Sequence, residues 1–509
     1  MFNMESRLSR RDFLRAAAFG SAGLALGPRL RAQPAKLPRK PNLLVFLPDQ
    51  LRADTIVGES ASSVHAPNFH KLASDSVVFE RAYVTHPICA PSRSSLLSGT
   101  WPHQNGCTTN QSALSRKFRC LPELLGDSDY RAGYFGKWHL GDEYSAQRGF
   151  GEWISIEEYS KSADSARKIE GVSDYAKFLL SKGYKPDVHH GTRFGRSFAS
   201  NLPFELSKAK FLETKACEFL QHNRDEPFLL FVAFIEPHPP YNGPFNDEHP
   251  LATISLDVTN GDTLGSDIPL RYRLRQEQIR RRFKTAAKYR ETKQKYLGLI
   301  TKIDRCVGTI LAKLDDLGLN EHTIIVLTSD HGDMMSAHGI LGKSLMFEQS
   351  ARVPYLVRVP GQRPQRCSRP VSHIDFAPTI LGLLGKPEHP QCIGKSRLSL
   401  VRGETSAPDF VYLQWSPGRE GSYEHTKLGT EEEVTRCLAE STRAVVSPDG
   451  WKLCLRDKDK NELYNLHDDP EERMNLYYKN THAEITSRLT SEIHEWQERV
   501  GDTLKLQGQ

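Results

Sequence analysis

Asn42-Leu43-Leu44-Val45-Phe46-Leu47-Pro48-Asp49-Gln50 decides the reading of this chain, because an unbroken apolar run closes on a proline, a carboxylate and an amide. A short apolar run without alternation predicts a strand buried on both faces, as in parallel sheets. Three further segments have the same build. Thr323-Ile324-Ile325-Val326-Leu327-Thr328 leads into Asp330-His331-Gly332, Pro227 to Ile235 leads into Glu236-Pro237-His238-Pro239-Pro240, and a shorter run around Tyr134-Phe135 leads into Gly136-Lys137-Trp138-His139. Between them, Tyr296, Leu299, Ile300, Ile303, Val307, Ile310, Leu311 and Leu314 keep the three-and-four spacing of an amphipathic helix, with Gly318 near its end. Strand and helix patterns in alternation predict an α/β domain on a large mixed, mostly parallel sheet flanked by helices. In such sheets ligands bind at the carboxyl ends of the strands, so the polar residues of all four segments are expected on one rim.

The chain of 509 residues is long for one core and predicts a large domain with a smaller one behind it. Residues 38–395 are read as the first. Residues 396–509 are read as a smaller α+β domain, with short antiparallel strands at Phe410–Leu413, Arg443–Val446, Trp451–Leu455 and Glu462–Leu466 and a closing helix from His482 to Val500. With 38% hydrophobic and 26% charged residues the composition is that of a globular protein. The net charge of +6 owes much to Arg7, Arg10, Arg11, Arg15, Arg29, Arg31, Lys36, Arg39 and Lys40, which leaves the rest near neutral and argues against nucleic acid as a partner. One basic stretch, Arg271 to Arg290, reads as a solvated helix face; a second reading is that it steers a polyanionic substrate.

Residues 1–32 resemble a twin-arginine export signal: Ser9-Arg10-Arg11-Asp12-Phe13-Leu14 precedes a small-residue apolar run, Ala16 to Gly27, too short to cross a bilayer. Cleavage near Ala32, a periplasmic address, the twin-arginine export machinery as a partner and no stable membrane span in the mature chain are the expectations. Nine cysteines, an odd number spread over a long chain, do not resemble a disulfide framework. Substrates of this export route cross the membrane folded, so cysteine chemistry is expected to be completed before export.

The most specific segment is Cys89-Ala90-Pro91-Ser92-Arg93-Ser94-Ser95-Leu96-Leu97-Ser98-Gly99-Thr100. It resembles the signature of the sulfatases, the formylglycine-dependent type I enzymes of the alkaline-phosphatase-like superfamily. The resemblance covers nearly all the chain after the signal, through the Pro-Asp-Gln strand end, Gly-Lys-Trp-His, Pro-His-Pro-Pro, Ser-Asp-His-Gly-Asp, Arg352-Val353-Pro354 and Glu-Leu-Tyr-Asn-Leu, in family order.

The resemblance implies that a separate formylglycine-generating enzyme oxidises Cys89 to an aldehyde, whose hydrate attacks sulfur through one hydroxyl and releases sulfate through the other. It implies a divalent cation on Asp49, Gln50, residue 89, Asp330 and His331. Calcium is the expected ion, and manganese or another softer ion is the alternative, because Gln50 stands where the family usually has a second aspartate. Arg93 is expected beside the aldehyde, Lys137 and Lys343 on the sulfate oxygens, His139 as the base for sulfate release, and His238 at the departing oxygen. Asp54, Asp333, His338, Glu348 and Asp375 are read as turn, cap or packing residues. A carbohydrate sulfate ester is the expected substrate. Phosphonate monoester and phosphodiester hydrolases share the fold and resemble the same ligand pairs, and an unconverted, non-catalytic polyanion-binding protein is the remaining reading.

Overall fold

The computed structural model describes residues 40–58, 64–158, 171–187, 194–405, 407–418, 423 and 425–507; the signal expected over residues 1–32 lies outside them. The described residues belong to one compact unit. Its main sheet contains β1 Asn42–Phe46, β2 Val77–Tyr83, β3 Arg131–Gly136, β4 Glu152–Ile154, β5 Phe228–Ala233, β6 Thr323–Thr328, β7 Arg352–Val353, β8 Tyr355–Arg358 and β9 Gln365–Ser372. The order is β4-β3-β5-β1-β6-β8-β2-β7, with β9 on β2. Strands β4, β3, β5, β1 and β6 run parallel, and β8 turns antiparallel to β6. This is the mixed, mostly parallel sheet that the apolar runs predict.

Both faces of that sheet are covered, which is why its central strands carry no polar alternation. On one face Leu44, Phe46, Leu230 and Val232 pack with Ile300, Ile303, Val307 and Ile310 of the helix Ala286–Asp316. On the other, Leu43, Val45, Phe231 and Val326 pack with Leu96, Leu97 and Ile380. That second layer contains the helix Cys89–Ser98, every residue of which is buried. Gly99 ends it in the left-handed region, with φ 67.

A smaller C-terminal sheet, β10 Val411–Trp415, β11 Thr442–Val446, β12 Trp451–Arg456 and β13 Glu462–Asn465, is wholly antiparallel. The helix Ala483–Val500 closes its core through Leu489 and Ile493. Buried ion pairs join this sheet to the rest: Lys452 lies 3.1 Å from Glu348 and 2.8 Å from Glu472, and Arg271 lies 2.9 Å from Glu440. The basic stretch from Arg271 is therefore not uniformly solvated, since Arg271, Leu274 and Ile279 of the helix Leu270–Arg282 are buried. Among the described residues, no helix is long and apolar enough to cross a membrane.

Candidate active site

The parallel strands β3, β5, β1 and β6 are neighbours, so their carboxyl ends open on one edge and carry the motif residues to one place. Beyond β1 stand Asp49 and Gln50, and beyond β6 stand Asp330 and His331. Cys89 meets them from the first turn of its helix. The ligand atoms of Asp49, Cys89, Asp330 and His331 all lie within 4.8 Å of one another and are buried. The Cys89 Sγ is 3.1 Å from His331 Nε2 and 3.9 Å from Asp49 Oδ1. His331 Nε2 is 3.7 Å from both Asp49 Oδ1 and Asp330 Oδ1.

This set fits a divalent cation. His331 Nδ1 sits 2.9 Å from the Gly332 carbonyl, which holds a proton there and leaves Nε2 as the nitrogen that faces the two carboxylates and that a cation would bind in exchange for its proton. Gln50, at φ 73, donates its backbone N–H to Asp330 Oδ1 over 3.0 Å. Its side-chain amide nitrogen donates to Asp333 and to the Tyr241 hydroxyl, so Oε1 faces the opposite way, towards Lys343 Nζ at 2.7 Å. Two carboxylate groups and an imidazole gathered at residue 89 form a donor set that is mostly hard.

Three cations surround this centre. Lys137 Nζ is 2.6 Å from Asp49 Oδ2 and 3.7 Å from Cys89 Sγ. Lys343 Nζ is 3.3 Å from Sγ and 4.0 Å from Asp49 Oδ1. Burial and Asp49 push the Cys89 thiol up, but Lys137, Lys343 and His331 outweigh them and bring it down to about 6. Burial also raises Asp49, and Lys137, Lys343 and Arg93 together hold it well below the usual carboxylate range. Arg93 reaches the acids rather than Sγ. Its Nε is 2.8 Å from Asp330 Oδ2, its Nη2 3.2 Å from Asp49 Oδ2, and its Nη1 2.7 Å from the Lys137 carbonyl oxygen.

Lys137 reaches the centre because β3 ends at Gly136. At φ 119, a Cβ there would fall 2.0 Å from the Ala233 carbonyl oxygen of β5, so only glycine lets the chain leave the sheet at this point. The next turn is fixed by buried Glu143, which accepts the backbone N–H groups of Trp138 at 3.1 Å and His139 at 2.6 Å. Burial raises Glu143 to about 7 despite those two donors.

His139 and His238 line a cleft of about 480 Å³ together with Cys89, Lys137 and Lys343. His238 Nδ1 lies 2.7 Å from the Pro239 carbonyl, which fixes the proton on Nδ1. Burial and the neighbouring Lys343 hold His238 well below its ordinary value, so it is neutral near pH 7. Every site residue expected from sequence is thus in or around one cleft. Sequence reading treated Asp333 as a turn residue, and it does accept the N–H groups of Met335 at 2.8 Å and Gly342 at 2.9 Å. It also orients Gln50 and Tyr241, a role for which its place two residues after His331 was the sole hint. Glu143 had no signal at all.

The family profile described as Sulfatase matches residues 41–386, over two thirds of the chain, and one described as N-sulphoglucosamine sulphohydrolase, C-terminal, matches residues 336–499. The chain belongs to the sulfatase family. An ulvan-active sulfatase of Formosa agariphila is 29% identical over 357 residues; the match takes in 68% of this chain, which spans 62% of the length of that relative. An N-acetylglucosamine-6-O-sulfatase of Bacteroides thetaiotaomicron is 23% identical over 91% of this sulfatase and 87% of its own length. Among solved structures, a phosphonate monoester hydrolase from Silicibacter pomeroyi shares the fold with a TM-score of 0.75 at 21% identity, covering 91% of this chain and 96% of its own.

Proposed function

We propose that this sulfatase hydrolyses a sulfate ester of a carbohydrate, using formylglycine made from Cys89 and a divalent cation held by Asp49, Gln50, residue 89, Asp330 and His331. The observation that carries the reading is the burial of Cys89 Sγ among two carboxylates, an imidazole and two lysine ammonium groups. Hydrated formylglycine would supply the nucleophilic hydroxyl, and the cation, calcium by its mostly oxygen ligands, would supply a Lewis acid and template. Arg93 keeps the two ligand carboxylates in register. Lys137 and Lys343, both beside residue 89, grip sulfate oxygens as their charge redistributes. His238, with its Nδ1 proton tied to Pro239, uses Nε2 at the departing oxygen, and His139 serves as the base for sulfate release. Carbohydrate is supported by the N-acetylglucosamine-6-O-sulfatase and ulvan-active relatives. Export through the twin-arginine route to the periplasm is part of the proposal and rests on Ser9 to Leu14.

Gln50 and His331 in the ligand set, together with the shared phosphonate hydrolase fold, favour a second reading as a phosphonate monoester or phosphodiester hydrolase. One experiment tests both. The residue-89 peptide is probed with a hydrazide by mass spectrometry, and kcat/KM is compared for an aryl sulfate, an aryl phosphate monoester and an aryl phosphodiester. An aldehyde and a preference for the sulfate are expected; faster phosphodiester cleavage selects the second reading, and an unreactive peptide refutes the formylglycine chemistry. A panel of sulfated mono- and oligosaccharides then identifies the sugar, and no turnover on any of them counts against carbohydrate.

A further inference from the structure

The cleft has a second lobe. It holds about 300 Å³ and shares Asn110, Gln111, His238 and Lys343 with the lobe containing Cys89, so one ligand can occupy both. The two lobes differ in charge. In the first, Glu157 and Glu158 offset the cations, and Glu157 pairs with both Arg196 and Lys208. Among the described residues, the charged lining of the second consists of Arg271, Arg275 and Lys343, with no carboxylate beside them.

Like charges gathered in a partly desolvated concavity repel one another unless an anion joins them. Two of these three are answered by the protein. Arg271 pairs with Glu440 and lies over the Trp415 ring at 4.4 Å; Lys343 bonds Gln50 Oε1 and Cys89 Sγ. Arg275 is not answered. Among the described residues no carboxylate lies within 4.0 Å of its guanidinium, and its terminal nitrogens make only long contacts, 3.3 Å to Gln278 Oε1 and 3.5 Å to the Leu341 carbonyl. Its Nε is buried without an acceptor.

The wall beside it is also short of acceptors. Trp415 and His86 pack ring to ring at 5.0 Å; His86 Nε2 accepts the Ser416 N–H, so Nδ1 carries the proton, and both Nδ1 and Trp415 Nε1 are buried donors with no partner. An indole wall braced by one arginine, next to a second arginine that lacks a counter-ion, suits a ring bearing an anionic substituent.

We propose that this lobe is an anion subsite: Arg275 receives a carboxylate or a second sulfate carried by the substrate beyond the scissile ester, which makes an acidic saccharide with at least two negative groups the preferred substrate. The subsite rests on the sulfate-ester reading above but is tested without turnover. In full-length Cys89→Ala protein, calorimetry measures binding of three ligands: a neutral sugar with one sulfate, the same sugar with two, and a uronic acid with one. The dianionic ligands are expected to bind about ten- to hundredfold more tightly than the neutral sugar monosulfate. The stronger of the two dianions identifies the group recognised. Arg275→Gln is expected to reduce that ratio to about threefold or less, and Arg275→Lys, which keeps the charge without the planar fork, to an intermediate value. If the parent shows no preference for a second anion, or the preference survives both substitutions, the subsite is refuted. Should Arg275→Gln fail to fold, the Lys variant alone decides. Failure of the sulfate-ester reading shows separately, as absence of aryl sulfate hydrolysis by the converted enzyme.

Discussion

Asp333→Asn is close to isosteric yet reverses the hydrogen-bonding sense of half of a buried group. The Asp333 carboxylate accepts from Gln50 and Tyr241 on Oδ2 and from the Met335 and Gly342 N–H groups on Oδ1. An asparagine keeps one acceptor oxygen and sets an NH₂ against the other pair of donors. Two buried donors left unpaired, at about 1–3 kcal/mol each, would cost about 2–6 kcal/mol of stability, a ceiling that reorientation of Gln50 or of the Tyr241 hydroxyl lowers. The functional effect is separate. With the oxygen kept by the two backbone N–H groups, the new NH₂ faces the Gln50 amide, which must reverse to find an acceptor and then offers NH₂ in place of Oε1 to Lys343 and the cation. Loss of a contact that orients a ligand lowers metal affinity by about 10- to 100-fold. Calorimetric titration of metal-stripped protein with Ca²⁺, alongside urea unfolding, measures the two effects apart. A lower urea midpoint with calcium affinity within about twofold of the parent would mean that Gln50 is not a ligand and that Asp333 acts on the loop alone, which refutes the reasoning.

Cys89→Ser retains one hydroxyl and lacks the second that would expel sulfate. Its steady-state turnover is expected to fall by on the order of 10³-fold or more, with a sulfate retained on residue 89 in intact-protein mass spectrometry; continued turnover with no adduct contradicts the proposed chemistry. His238→Gln is expected to slow hydrolysis of a sugar sulfate by about 10²- to 10⁴-fold, and of 4-nitrophenyl sulfate far less, because a nitrophenolate departs without a proton. Equal losses on the two substrates would remove His238 from the leaving oxygen.

The central strands and the rim were legible because burial on both faces leaves unbroken apolar runs, and because the polar residues follow those runs directly. The helix at 296–314 was legible for the same reason, and the structure extends it to Ala286–Asp316. Strand β9 was not. Gln365-Arg366-Cys367-Ser368-Arg369-Pro370-Val371-Ser372 has neither an apolar run nor a clean alternation, and it is a strand because β2 offers it a parallel partner. The site was read as residue types, not as partners. Nothing in the order Cys89 to Arg93 says that the arginine turns inward to Asp49 and Asp330, and nothing in the sequence sets Trp415 and Arg275 on the same wall, since more than a hundred residues separate them.

The helix that starts at Cys89 is buried along its whole length, and residue 89, where it meets the cleft, is 1% exposed. A protein catalyst cannot thread its own active site into so closed a layer. On the chemistry proposed, the oxidation of residue 89 therefore has to happen while this segment is still an extended peptide, and collapse of the sheet seals the product in. Maturation and folding then run in a fixed sequence, and a molecule that folds first is left permanently with a sulfhydryl that no later encounter repairs.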